Sequence, residues 1–168
     1  MNALDFALKM EQDGEQYYRK QAKKVKHEGL KVILEALADD EHRHYGIVQA
    51  LQHPADNHPA VDASMSKVKN VFEIGKNKEF IQTDKESIAK LKDEPLDIYL
   101  AALLKEEESV KLYKKMQETA EGQSNKSIFE KLVHEEEQHV QVLGNIIEMF
   151  NHVNEWVESP EFSHQKPY

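Results

Sequence analysis

The chain has 168 residues, of which 39% are hydrophobic and 32% are charged, so it is long enough for one domain with a packed core and too apolar for a disordered polymer. It has 22 Lys and Arg residues against 31 Asp and Glu residues, and the net charge of −9 disfavours nucleic-acid and anionic-membrane partners, which need a basic surface. The absence of cysteine excludes disulfides, thiolate metal sites and thiol nucleophiles.

Apolar residues that recur every three or four positions predict four long helices. These cover about 2–26, 29–52, 95–120 and 124–152. A glycine separates the two members of each pair, and Pro95 stands at the start of the third helix, where proline is favoured. A crossover of residues 53–94 joins the pairs and contains two shorter predicted helices, 68–75 and 79–91. No alternating segment with a convincing turn predicts a strand.

Two short connections and one long one are typical of a ferritin-like four-helix bundle, so we predict an all-α fold with one long crossover connection. Residues 1–152 form the predicted domain, and residues 153–168, which have no helical pattern, form a C-terminal tail. Each helix carries the apolar seam that a bundle core requires. Polar residues interrupt every seam near its middle, and these interruptions point to function.

When the three- or four-residue spacing of each seam is continued through its interruption, the positions that it reaches are four glutamates and two histidines in all. The residues are Glu11 in the first helix, Glu41 and His44 in the second, Glu106 in the third, and Glu136 and His139 in the fourth. Burying these ions in an apolar core is costly unless their charge is compensated. Two divalent cations would balance four carboxylates, and neutral imidazoles would complete the coordination. The seams therefore predict a buried site for two metal ions.

The two halves of the chain repeat this pattern with an offset of 95 positions, the step from Glu11 to Glu106. The same offset converts Tyr18 to Tyr113, Glu41 to Glu136, His44 to His139 and Gly14 to Ser109. In each half, Glu-x-x-His places a carboxylate and an imidazole on one helix face. A single such motif is common in acidic helices. Two copies in register favour a metal site over a chance pattern.

These motifs resemble those of the rubrerythrin-like branch of the ferritin-like di-iron carboxylate family. The matching segments, within residues 1–152, are Glu11-x-x-Gly14-x-x-Tyr17-Tyr18, Glu41-His42-Arg43-His44, Glu106-x-x-Ser109-x-x-x-Tyr113 and Glu136-Glu137-Gln138-His139. The resemblance implies a di-iron site with two bridging carboxylates. The implied bridges are Glu41 and Glu136, with Glu11 and His44 on one iron and Glu106 and His139 on the other. Tyr18 and Tyr113 would donate hydrogen bonds to ligand carboxylates, the alternative being aromatic packing in the core.

The chain departs from full-length rubrerythrins in two ways. It has no cysteine for a rubredoxin module, so reducing electrons must come from a separate protein. Ser109 stands where rubrerythrins carry an extra carboxylate, one turn beyond the third-helix glutamate. The remaining four glutamates and two histidines are similar to the ferroxidase centre of bacterioferritins. The resemblance therefore supports metal binding more strongly than peroxidase activity.

We expect an oxidoreductase that reduces hydrogen peroxide or O2 with the electrons of two ferrous ions. Iron suits a mixed carboxylate and imidazole site, with manganese and zinc as alternatives. The alternative functions are an iron-binding ferroxidase for storage or delivery, with little turnover, and a protein in which the metal is only structural.

The expected partners are an electron-donor protein and a second copy of the chain, because the long crossover makes a helix-swapped homodimer geometrically easy. Acidic residues occur too early for a signal peptide, and no apolar run reaches the roughly 20 residues that span a bilayer, so we expect a cytoplasmic protein.

The remaining histidines are expected at the surface. These are His27, His42, His53, His58, His134, His152 and His164. Of the glutamate triplets 106–108 and 135–137, only one residue each is expected to point inward.

Overall fold

The computed structural model describes residues 1–53, 71–72 and 84–158, and the regular structure in these ranges is helical, without a strand. The helices are α1 (Ala3–Lys24), α2 (Glu28–Gln52), α3 (Lys85–Lys92), α4 (Leu96–Thr119) and α5 (Gln123–Glu158). Short connections make hairpins of α1 with α2 and of α4 with α5, and the hairpins meet where α1 contacts α4 and α2 contacts α5. The predicted all-α, ferritin-like bundle is confirmed.

Capping side chains define three helix starts. The Asn2 side chain accepts a hydrogen bond from the Asp5 amide at 2.9 Å, and Asp84 accepts one from the Ser87 amide at 3.0 Å. Each cap satisfies an amide that the first helical turn leaves without an internal partner. Between α4 and α5, Gly122 has a φ of 82°, which glycine adopts without steric cost. This residue allows the tight reversal that closes the second hairpin.

His27 also caps a helix, and the prediction that it lies at the surface is wrong. Its side chain is 1% exposed, and its Nδ1 accepts a hydrogen bond from the Leu30 amide at 3.3 Å. The backbone amide of Leu30 is buried in the first turn of α2, so it needs an acceptor from the protein rather than from water. The burial of His27 follows from this requirement.

The last helix runs further than the sequence predicted. Its predicted range of 124–152 becomes Gln123–Glu158, because Val153 is 1% exposed and continues the buried stripe of Ile146 and Phe150. Residues 159–168 lie outside the described residues. The division into a 1–152 domain and a 153–168 tail therefore stays a prediction.

The crossover is described only in part. The predicted helix at 79–91 corresponds to α3, which begins at Lys85, and positions 79–83 lie outside the described residues. The predicted helix at 68–75 also lies outside them, except for the helical residues Val71 and Phe72. Val71 is fully buried in the core, so the crossover packs against the bundle at this point.

Two apolar clusters form the core, and a polar layer separates them along the helices. Along α2, Leu37 belongs to the first cluster and Ile47 to the second, with Glu41 and His44 between them. Along α5, Leu132 and Leu143 are divided in the same way by Glu136 and His139. The predicted interruption of each seam is therefore one continuous layer across the bundle. Among the described helices, none has the length and hydropathy of a membrane span.

We expect the apolar clusters to carry the stability of the metal-free bundle. Leu143 is fully buried, so Leu143→Ala should lower the free energy of unfolding by about 2–5 kcal/mol through lost burial and a residual cavity. Leu104 on α4 is 62% exposed, and Leu104→Ala should cost less than about 0.5 kcal/mol. Urea unfolding measures both values, and equal losses would contradict this assignment of the core.

Candidate metal centre

The structure brings all six residues of the predicted site together in the polar layer, each at most 4% exposed. They form two overlapping groups in which the ligand atoms lie within 4.8 Å of one another. The groups are Glu11, Glu41, His44 and Glu136, and Glu41, Glu106, Glu136 and His139. Glu41 and Glu136 belong to both groups, which is the position that bridging ligands require.

Both imidazoles direct the same nitrogen at the carboxylates. The Nδ1 atom of His44 lies 3.1 Å from an oxygen of Glu136 and 3.7 Å from one of Glu11. The Nδ1 atom of His139 lies 3.1 Å from an oxygen of Glu41 and 3.4 Å from one of Glu106. The two rings are stacked, with centroids 5.6 Å apart. The Nε2 atom of each ring faces away from these four carboxylates and contacts other side chains.

Two tyrosines cross between the hairpins to the carboxylates. The hydroxyl of Tyr18 on α1 donates a hydrogen bond to Glu106 on α4, and the hydroxyl of Tyr113 on α4 donates one to Glu11 on α1. Such donors hold a ligand oxygen in one orientation. Both rings also belong to the apolar clusters, so the packing role and the hydrogen-bonding role coexist.

Two further carboxylates contact the outer nitrogens of the imidazoles, and neither was predicted from the sequence. Asp40 places an oxygen 3.0 Å from Nε2 of His139, and Glu135 places one 3.5 Å from Nε2 of His44. The prediction that only one residue of the 135–137 triplet points inward is wrong, because Glu135 is buried beside Glu136. The 95-residue offset relates Asp40 to Glu135, so the repeat contained the signal. Carboxylates in this position orient ligating imidazoles.

Arg43 explains how these outer carboxylates can be buried. Its guanidinium contacts both oxygens of Glu135, one at 3.0 Å, and its Nη2 lies 3.4 Å from Asp40. Although burial opposes ionisation, the hydrogen bonds from His44 and Arg43 hold the pKa of Glu135 well below its ordinary value. The residue that the 95-position offset relates to Arg43 is Gln138, so only one half of the repeat supplies this cation.

Protons compensate the clustered charge when no metal is bound. Burial, and then the charges of Glu11 and Glu106, raise the pKa of Glu136 to about 8. Burial and the charge of Glu136 likewise raise the pKa of Glu41 well above its ordinary value. Burial opposes ionisation of Glu106 too, but the charge and hydrogen bond of His139 lower its pKa to about 2. Glu136 therefore retains its proton over much of the neutral range, while Glu106 is ionised.

The imidazoles complete this compensation. Burial by itself lowers the pKa of each ring, but the negative charges of Glu136 at His44 and of Glu106 at His139 raise both pKa values well above the ordinary value. A metal ion needs neutral imidazoles and ionised carboxylates, so its binding must release these protons.

The donor set fits divalent metal ions. Three buried carboxylate oxygens, one each on Glu11, Glu41 and Glu136, accept no hydrogen bond of good geometry among the described residues, although Nδ1 of His139 lies 3.1 Å from those of Glu41 and Glu136. An unsatisfied buried acceptor costs about 1–3 kcal/mol, and a cation between these oxygens would remove that cost. Carboxylate and imidazole ligands together suit iron, manganese and zinc.

The proton compensation predicts how metal-free stability depends on pH. The raised pKa of Glu136 means that the folded chain binds more protons than the unfolded chain between about pH 4.5 and 8. This stabilisation is complete below that window and is lost as the pH rises through it, and both histidines act in the same direction above their ordinary pKa. The melting temperature of the metal-free protein should therefore fall from pH 6 to pH 8, by at least about 3 °C.

The matched variants are Glu136→Gln, which should make the decline shallower, and Glu137→Gln at the exposed neighbour, which should not. Iron-loaded protein should show the opposite trend, because metal binding strengthens as protons leave the ligands. A metal-free protein that is equally or more stable at pH 8 would contradict the charge arrangement described above.

We also expect Arg43 to be the main compensation for the outer carboxylates. Arg43→Gln removes the guanidinium that contacts the buried Glu135 and should lower the free energy of unfolding by on the order of 3 kcal/mol. The control is Arg19→Gln, which removes surface pairs with Glu15 and Asp39 and should cost less than about 1 kcal/mol. Urea unfolding of the metal-free proteins compares them. Equal losses would show that Arg43 has no such role.

Comparison with known proteins agrees with this geometry. The family model described as Rubrerythrin matches residues 2–95, which is more than half of the chain and includes α1 and α2 with Glu11, Glu41 and His44. Comparison with curated proteins and with solved structures gives no match. The matched half and its repeat in α4 and α5 converge on one buried cluster of carboxylate and imidazole groups that can bind metal. The chain belongs to the rubrerythrin family, whose members are expected to bind iron.

Proposed function

We propose that the protein is a di-iron oxidoreductase that reduces hydrogen peroxide, or O2, with the electrons of two ferrous ions. The observation that carries this proposal is the sharing of Glu41 and Glu136 between two buried ligand groups. Glu11 and His44 would complete the ligands of one ion, and Glu106 and His139 those of the other. Two ferrous ions supply two electrons, the number needed to convert hydrogen peroxide to two molecules of water.

The surrounding residues would position the ligands and handle protons. Asp40 and Glu135 contact the outer nitrogens of the two imidazoles and would fix which nitrogen faces the metal. The hydroxyls of Tyr18 and Tyr113 would keep Glu106 and Glu11 in place as the metals change charge. Peroxide reduction also consumes two protons. The titratable groups of the polar layer would relay these protons.

A second candidate function is oxidation of ferrous iron for storage or delivery, with little turnover. Ser109 favours it, because the rubrerythrin carboxylate is missing at this position and a set of four glutamates and two histidines remains.

For either function we propose a separate electron donor where turnover occurs, since the chain has no cysteine for an iron–sulfur or rubredoxin-type centre. The homodimer and the cytoplasmic location remain proposals from the sequence.

Anaerobic loading with ferrous iron, followed by stopped-flow mixing with hydrogen peroxide and with O2, tests the proposal. We expect rapid oxidation of two irons per chain and continued peroxide consumption when a reductant is supplied. Stoichiometric oxidation with retained ferric iron would favour the storage function instead. No reaction with either oxidant would contradict both functions and leave a structural metal.

The matched variants for this experiment are neighbours on α5. Glu136→Gln removes a shared ligand and should weaken iron binding by at least about tenfold, since loss of even an outer partner of a metal ligand has effects of this size. Glu137→Gln changes an exposed side chain and should bind iron like the unmodified chain. Equal iron affinity in the two variants would show that Glu136 is not a ligand.

A further inference from the structure

A cavity of about 440 Å³ lies between α1 and α4 and reaches the metal centre. Its most buried lining residues are Tyr18, Glu41 and Glu106, so its inner end lies at the carboxylates. The rest of the lining consists of Phe6, Met10, Gly14, Tyr17 and Ser109, with Lys9, Asp13, Lys105 and Glu108 as its charged members. The cavity therefore connects the centre with the outside through largely apolar walls.

The size of this cavity exceeds what hydrogen peroxide or O2 needs. A water molecule, which has a comparable size, occupies about 30 Å³ in the liquid, so the cavity has more than ten times the room of one small oxidant. Cavities that bind organic molecules have volumes of about 300–1,000 Å³ and mostly apolar linings. Both properties are met here.

Two small residues, which the repeat relates to each other, create the space beside the carboxylates. A Cβ atom at Gly14 would lie in ordinary van der Waals contact with an oxygen of Glu41, at 3.4 Å, so a long side chain there would fill space at the inner end. Ser109 is buried one turn from Glu106, and its hydroxyl donates to the Lys105 carbonyl at 3.0 Å and contacts the Met10 sulfur at 3.3 Å. Ser109 thus leaves open the volume where rubrerythrins carry a carboxylate.

The charges around the cavity favour an uncharged ligand. Lys9 pairs with Asp13 at 2.9 Å, and the Lys105 ammonium lies 4.2 Å from the centroid of the Tyr17 ring. Both lysines that line the cavity therefore have partners among the described residues, while the inner end carries carboxylates that repel an anion. A ligand with one polar end at the centre and an apolar remainder along the walls is complementary to this arrangement.

We propose that the cavity holds the organic part of an alkyl or aralkyl hydroperoxide, with its O–OH group toward Glu41 and Glu106. This inference rests on the proposed function and names the class of peroxide. Reduction breaks the O–O bond and consumes two electrons and two protons, giving the alcohol and water. The two ferrous ions of the proposed function supply the electrons and become ferric. Ser109 and Met10 select the organic group.

Rates with cumene hydroperoxide and with hydrogen peroxide, measured anaerobically on the iron-loaded full chain, test this assignment. Their ratio should exceed one, and Ser109→Leu, which fills the cavity, should lower the ratio at least about tenfold, a typical effect of lost apolar pocket contacts. Ala101→Leu, on an exposed position of the same helix, should leave the ratio unchanged. Met10→Trp fills the cavity from α1 and replaces Ser109→Leu if that variant does not fold.

Binding provides a readout that does not depend on iron. Titration of metal-free protein with 2-phenyl-2-propanol, the alcohol product, should shift the methyl resonance of Met10, and Ser109→Leu should abolish the shift. Absence of this shift, or a rate ratio that neither filling variant changes, would overturn the inference while hydrogen peroxide still oxidises the iron. If neither peroxide oxidises the iron, the proposed function fails, and the inference fails with it.

Discussion

Four carboxylates are buried at a single level of an apolar bundle, and this electrostatic constraint determines which residues surround them. Charges of one sign cannot share such a layer without compensation. In the metal-free chain, burial and the neighbouring charges raise the pKa values of Glu41 and Glu136 and so favour bound protons there, and the two imidazoles facing them add to the compensation. Divalent metal ions would replace these protons. The same residues therefore explain both the electrostatic cost of the layer and why metal ions would relieve it.

The constraint extends beyond the ligands to the residues behind them. Each imidazole has a carboxylate at its outer nitrogen, and Arg43 offsets the charge of those carboxylates on one side of the bundle. The two apolar clusters pack against the polar layer from both sides along the helices, so the carboxylate and imidazole side chains have little freedom to move apart. Rigidity of this kind holds a metal site in one geometry. The opening beside Ser109 is the exception, and it leads to the layer from the outside.

The repeat explains why the sequence predicted so much of the centre. The ligand positions follow a seam of period 3.6 and recur after 95 residues, so Glu11, Glu136 and their counterparts could be identified without a structure. Asp40 and Glu135 lie one position off that seam, where periodicity predicts solvent, and only their contacts with Arg43 and the imidazoles explain their burial. His27 was missed for a related reason, because a buried helix start is a tertiary feature. The cavity depends on the distance between two helices, which no local pattern encodes.

The most direct test of the account is an anomalous difference map at the iron absorption edge from crystals of the iron-loaded chain. We predict two peaks in each chain, about 3.5–4 Å apart as in two-metal sites. The ion at one peak should be bound by Glu11 and His44, and the ion at the other by Glu106 and His139. Glu41 and Glu136 should bind both ions. A single peak, peaks outside the polar layer, or no peak in fully loaded crystals would contradict the assignment of these six residues as a di-iron centre.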